Sequence, residues 1–66
     1  MKIRLNGRSL EAEAGATVAA LLRESGISTT AAIVALNLRV LARESWDATA
    51  LKEGDSVEIF SLVAGG

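Results

Sequence analysis

The part of the sequence best suited to chemistry is its C-terminal end, which reads Leu62-Val63-Ala64-Gly65-Gly66. Glycine has no side chain and loses the most backbone entropy on ordering, so residues 63–66 are predicted to form a flexible tail. Two residues without a Cβ could pass through a channel that would exclude any other residue. The group presented by such a tail is the Gly66 α-carboxylate, which can be chemically activated. A frayed terminus without a function is the alternative interpretation.

Few other residues could do chemistry. The chain has no Cys and no His, so it lacks a thiolate nucleophile, disulfides, an imidazole base and the usual zinc ligands. Because only carboxylates and hydroxyls are left for catalysis or metal binding, neither an enzyme nor a metal site is expected.

Composition also excludes several classes of partner and location. The net charge is −1 with Lys and Arg scattered along the chain, so no nucleic-acid partner is expected. No apolar run approaches the roughly 18 residues that span a membrane. Without Cys or a signal peptide, a cytoplasmic protein is expected.

The elements that must hold the tail are predicted from the pattern of apolar residues. Sixty-six residues, half of them apolar, suffice for one small domain without a deep enclosed active site. Met1–Glu13 alternates between apolar and polar residues around Asn6-Gly7, which predicts an antiparallel hairpin. Thr17 is a suitable N-cap for a helix over Val18–Ser25, and Gly26 is a suitable end for that helix.

The second half of the chain is predicted to be mostly extended. Ala31–Leu41 is interpreted as a strand, a turn near Asn37–Arg39 and a short strand at Val40–Leu41. Which face of residues 33–36 is buried stays open, because both registers are apolar. Ala42–Leu51 is expected to hold an irregular turn or a short 3₁₀ helix, and Ser56–Leu62 is the last strand. The order β-β-α-β-β-β predicts an α+β domain over residues 1–62. If its first strand pairs with its last, the sheet is mixed, has four to five strands and carries the helix across one face.

The last predicted strand has two different faces. Val57 and Ile59 share one face, whereas Glu58, Phe60 and Leu62 share the other. A carboxylate is rarely buried without a partner, so Glu58 is expected to mark the solvent face. Phe60 and Leu62 would then form an exposed apolar pair, which predicts a docking surface. The alternative is that single exposed apolar residues have no function.

Motifs along the whole chain resemble the sulfur-carrier proteins of thiamine (thiazole) biosynthesis, which have the ubiquitin-like β-grasp fold. Two positions depart from that family: it usually has Gly where Leu38 stands and Pro where Ala42 stands. The motifs that carry the resemblance are Asn6-Gly7, Gly15-Ala16-Thr17-Val18 before Leu21-Leu22, Ala35-Leu36-Asn37, Arg43-Glu44-Ser45-Trp46, Glu53-Gly54-Asp55 and Ala64-Gly65-Gly66.

The resemblance implies a carrier that is not itself an enzyme. A ubiquitin-activating-type adenylyltransferase would join AMP to Gly66, and sulfur from a cysteine-derived persulfide would then displace the AMP. The resulting thiocarboxylate would supply sulfur to thiazole synthase. The carrier would bind no cofactor, because ATP and Mg²⁺ belong to the activating enzyme. By the same resemblance Gly65 is the steric requirement for activation. Val63 and Ala64 are expected to line the channel contact that activation requires, and Phe60 and Leu62 are assigned to partner docking because of their place on the last strand.

Two alternatives stay open, one of them a sulfur carrier for molybdopterin or another pathway. The other is a non-reactive β-grasp interaction module with an incidental Gly-Gly. Trp46 is expected to pack in the core rather than anchor a partner, and Arg43 is expected to be a solvated charge rather than a partner contact. Glu53 and Asp55 are assigned to a turn without a chemical role.

Overall fold

A computed structural model describes residues 1–27 and 29–61 of the chain. Its elements follow the predicted order β-β-α-β-β-β, with one turn of 3₁₀ helix before the last strand. They are β1 (Lys2–Leu5), β2 (Arg8–Glu11), α1 (Val18–Ser25), β3 (Ala32–Leu36), β4 (Arg39–Leu41), the 3₁₀ helix η1 (Arg43–Ser45) and β5 (Ser56–Ser61). No helix in these ranges is long and apolar enough to cross a membrane.

The strands form one five-stranded mixed sheet in the order β2-β1-β5-β3-β4. The last strand, β5, lies in the centre, parallel to β1 and antiparallel to β3. The expected pairing of the first strand with the last is therefore confirmed. The last strand of the chain is therefore an interior strand of the sheet, with a neighbour on each side.

Both hairpins turn through two residues with left-handed backbone. In the β1–β2 turn Asn6 has a φ of 51° and Gly7 a φ of 82°, as a type I′ turn requires. In the β3–β4 turn Asn37 has a φ of 51° and Leu38 a φ of 71°. The structure thus accommodates Leu38 where the family usually has glycine, in a conformation that L-residues rarely adopt. This turn is also shorter than predicted, since β4 already begins at Arg39.

Helix α1 has the predicted bounds and both predicted ends. Thr17 Oγ1 accepts a hydrogen bond from the backbone N–H of Ala20 at 3.1 Å, and Gly26 adopts the left-handed conformation. The N–H groups of Val18 and Ala19 donate to carbonyl oxygens of residues 49 and 46, at 3.0 and 3.1 Å. The N–H groups at the start of the helix are therefore satisfied by its cap and by the segment before β5.

The core lies between the helix and one face of the sheet. Val34 is fully buried in this core, whereas Ile33 is 37% exposed on the opposite face of the sheet. Of residues 33–36, the face that carries Val34 is therefore the buried one. The buried hydrophobic cluster consists of Ile3, Val18, Leu21, Leu22, Val34, Trp46, Leu51 and Val57.

Trp46 is buried in this core, as predicted, and its indole Nε1 donates to the Leu41 carbonyl at 3.1 Å. Arg43 is exposed, as expected of a surface charge, but it also makes contacts within the chain that the sequence did not predict. The Arg43 guanidinium lies 4.5 Å from the centre of the Trp46 ring, and its Nη2 donates to the Thr29 carbonyl at 2.6 Å. Arg43 therefore ties η1 to the segment that follows the helix, through a planar group that both stacks and donates.

Candidate functional site

Strand β5 leads from the centre of the sheet to the C-terminal end of the chain. It pairs with β3 as far as Ser61, where the described residues end. The predicted docking residue Leu62 and the predicted tail residues Val63, Ala64, Gly65 and Gly66 lie outside the described residues. Their assigned roles stay predictions, and the structure shows the surface from which they follow.

The described part of β5 alternates as the sequence predicts. Val57 is fully buried, and Ile59 packs partly against the core. Phe60 points to the other face and is 52% exposed, while Glu58 beside it is half-buried. The predicted solvent-facing position of Phe60 is confirmed, whereas its role in docking stays a prediction.

Phe60 has apolar neighbours that the sequence did not identify. Ile33 on β3 lies directly opposite it in the sheet. Val40 on β4 is 76% exposed and lies opposite Ala35, two residues along β3 from Ile33. Ile33, Val40 and Phe60 are hereafter called the outer patch, and Ala35, which is only 7% exposed, lies between its members.

The outer patch was missed because residues 31–41 are apolar in both registers, so the period of two gives no contrast between faces. Only the cross-strand register places Ile33 against Phe60 on the outer face. Neighbouring apolar side chains on one exposed face are typical of a protein interface.

The same outer face carries positive charge on the β1 side. Ile3 and Leu5 face the core, so the alternating residues Lys2 and Arg4 face outward, and both are exposed. Carboxylates share this face, because Glu11 lies opposite Lys2 in the sheet and Glu58 lies beside Phe60 on β5. The apolar patch is therefore bordered by charges of both signs.

This surface offers binding groups rather than reactive ones. Residues 1–27 and 29–61 contain no cluster of three or more His, Cys, Asp or Glu side chains that could hold a metal ion. The hydrogen bonds of two carboxylates organise the turn before β5: Asp55 Oδ2 accepts from the N–H of Lys52 at 2.8 Å, and Glu53 Oε1 accepts from the N–H of Lys2 at 3.1 Å. Both lie in the turn to which the sequence assigned them.

Comparison with known proteins shows which family has this architecture. A family model described as the ThiS family matches residues 3–66. The chain belongs to the ThiS family. A crystal structure of the thiamine biosynthesis protein ThiS from Geobacter metallireducens matches all of both chains with a TM-score of 0.86 and 33% identity. That likeness confirms the expected β-grasp fold.

Sequence relatives of this ThiS family member are of two lengths. The sulfur carrier protein ThiS of Escherichia coli is 32% identical over 66 residues, which cover both chains completely. A thiazole synthase of Magnetococcus marinus is 38% identical over the same 66 residues, but the chain spans only 20% of that protein's length. One relative is thus a carrier of the same size, and the other is a longer protein that contains a similar region.

Proposed function

We propose that this ThiS family member is the sulfur carrier for thiazole formation in thiamine biosynthesis, with Gly66 as its reactive residue. The observation that supports the proposal most is that the family match continues to residue 66 and so includes Gly65-Gly66. A carrier also needs no nucleophile or base of its own, which agrees with the lack of Cys and His in the sequence.

The chemistry begins with activation of the terminal carboxylate. A carboxylate is a poor electrophile because oxide is a poor leaving group. A separate ubiquitin-activating-type adenylyltransferase would therefore join the Gly66 carboxylate to AMP from Mg²⁺-bound ATP and release pyrophosphate. The bound nucleotide and metal belong to that enzyme, and the carrier contributes only the acyl group.

Sulfur transfer then replaces AMP. The terminal sulfur of a cysteine-derived persulfide attacks the Gly66 acyl carbon, expels AMP and leaves an acyl disulfide. A thiol attacks the distal sulfur of that disulfide, forms a new disulfide with the donor and releases the Gly66 thiocarboxylate. The thiocarboxylate is the sulfur source for thiazole synthase.

The outer patch is the proposed docking surface for these partners, and Leu62 stays a predicted docking residue from the sequence. Phe60 is its aromatic member, and aromatic residues, Phe among them, are enriched in protein interfaces relative to the rest of the surface. The long thiazole synthase from Magnetococcus marinus, which contains a region similar to this chain, supports thiazole synthase as one partner. The lack of Cys in the sequence favours a cytoplasmic location for the pathway.

Intact-mass spectrometry tests the proposal directly. The full chain is incubated with the activating enzyme, ATP, Mg²⁺, a persulfide donor and a thiol. We expect a mass increase equal to replacement of one oxygen by sulfur, located at Gly66 by fragmentation. Reactions without ATP, and a chain that lacks Gly65-Gly66, are expected to show no increase while the truncated chain keeps its fold.

The outcomes separate the candidate functions. An unchanged mass, under conditions that convert the Escherichia coli carrier, would show a non-reactive interaction module. A thiocarboxylate that thiazole synthase rejects but molybdopterin synthase accepts would show that the carrier serves another pathway. Unfolding of the truncated chain would show that Gly65-Gly66 has a structural role.

A further inference from the structure

The two asparagines of the sequence both hold the central strand β5. Asn6 and Asn37 occupy the first positions of the two hairpin turns, with the same φ of 51°. Asn6 Oδ1 accepts the backbone N–H of Ile59 at 2.8 Å. Asn37 Oδ1 accepts the backbone N–H of Ser56 at 2.9 Å. The strand is thus bonded by one turn side chain from each of its two neighbouring hairpins.

The Asn6 side chain replaces a backbone acceptor at the place where β1 ends. In a parallel pair, a residue bonds to the residues on either side of its partner. The N–H of Asn6 donates to the Val57 carbonyl at 2.9 Å. If β1 continued through Asn6, the Asn6 carbonyl would therefore accept the N–H of Ile59. The positive φ takes the backbone into the turn instead, and the side-chain oxygen accepts that N–H.

The two asparagine bonds differ in their distance from the tail. Asn37 acts at Ser56, the first residue of β5, where its Nδ2 also donates to Asp55 Oδ1 at 3.0 Å. Asn6 acts at Ile59, beyond the last paired residues of β1 and β5, Leu5 and Val57. Within the described residues, its bond is therefore the hydrogen bond from the β1 side that lies nearest to Ser61, two positions before the predicted tail of residues 63–66.

The register at Ile59 also decides which side chain faces the partner. Successive residues of a strand point to opposite faces, so a slip of one residue would exchange Ile59 and Phe60 between the core and the outer patch. Holding the N–H of Ile59 keeps Phe60 outward and fixes the register of the last described residues of β5.

We propose that Asn6 is a positioning residue for the reactive tail, acting through its hydrogen bond to Ile59. This inference rests on the proposed carrier function. Without the bond, the last residues of β5 keep their pairing with β3 but fray on the β1 side. The population that docks productively falls, and apparent affinity for the activating enzyme falls by the same factor.

Asn6→Gly and Asn6→Asp form a matched pair of tests. Glycine adopts the required positive φ but offers no acceptor. Aspartate tolerates the same conformation and keeps an acceptor oxygen. Asn37→Gly is the control, because it removes a similar bond at the other end of β5. The measurements are ATP–pyrophosphate exchange with the activating enzyme, backbone amide exchange at Ile59 and thermal unfolding.

For Asn6→Gly, we expect KM for the carrier to rise by up to about fivefold, the limit that loss of one net hydrogen bond sets on the docking-competent population, with kcat unchanged. Amide exchange at Ile59 should become faster. Asn6→Asp should restore both values. Asn37→Gly should lower the melting temperature at least as much, since it removes two side-chain bonds, yet leave KM unchanged.

Three results would overturn the inference while leaving the proposed function in place. An unchanged KM in Asn6→Gly would show that the bond does not position the tail. An equal rise of KM in Asn37→Gly would show that only general stability matters. Failure of Asn6→Asp to restore KM would show that the acceptor oxygen is not the active feature. A wild-type chain that is never adenylated would overturn the proposed function, and this inference with it.

Discussion

Truncation of Phe60 to Ala separates a docking role from a packing role. Phe60 is 52% exposed, so truncation to Ala removes about half of the stabilisation that a fully buried side chain of this size would give. Full burial of a large apolar side chain stabilises by about 1.5–3 kcal/mol. The expected destabilisation is therefore about 1 kcal/mol, which lowers the melting temperature of a domain of this size by about 4–8 °C.

Leu22→Ala is the matched control inside the core. Leu22 is only 1% exposed, and removal of a buried Leu side chain costs about 2–5 kcal/mol. Its melting temperature is therefore expected to fall at least twice as far as that of Phe60→Ala. Thermal unfolding by circular dichroism compares the two variants under the same conditions.

Binding should rank the variants in the opposite order. Loss of an aromatic side chain at the centre of an interface costs about 2 kcal/mol or more, roughly 30-fold in Kd. Titration calorimetry with the activating enzyme, below the melting temperature of both variants, is expected to show that loss for Phe60→Ala and little change for Leu22→Ala. Equal melting temperatures for the two variants, or unchanged affinity in Phe60→Ala, would refute the reasoning.

Three further substitutions test how the scaffold is held, each by thermal unfolding. Leu38→Gly should raise the melting temperature by a few degrees. Relief of about 1–2 kcal/mol of left-handed strain outweighs the entropy cost of glycine, which is about 0.5–1 kcal/mol. A lower melting temperature would contradict the strain at Leu38. Thr17→Ala should cost about 1 kcal/mol by removing the cap bond to Ala20, whereas Thr17→Ser should cost less; equal losses would exclude the hydroxyl as the cause. Arg43→Lys should lower the free energy of unfolding by about 0.5–1 kcal/mol, because lysine cannot stack a planar group on Trp46. An unchanged melting temperature would show that the contacts of Arg43 do not stabilise the fold.

Local signals in the sequence predicted the elements correctly. Asn6-Gly7 predicted a hairpin because few other residue pairs adopt two positive φ values. Thr17 and Gly26 predicted both ends of the helix because capping depends on residues within one turn of the end. Alternation in β5 predicted that Phe60 faces solvent, because Glu58 on the same face is costly to bury. These features depend on short-range sterics and on the contrast between polar and apolar neighbours.

Long-range pairing decided the rest. Ile33 and Val40 joined Phe60 in the outer patch only through the register of β3 with its neighbours, since residues 31–41 show no contrast between faces. Arg43 gained its contacts from Thr29, fourteen positions away, and Asn6 bonds a residue 53 positions along the chain. Such contacts depend on which surfaces the folded chain brings together, and neither periodicity nor local propensity encodes that. The sequence by itself determined the order of the elements and which groups the C-terminal end carries. The tertiary structure decided which apolar residues share the outer face and which side chains hold β5, because both arise only when strands distant in sequence pair.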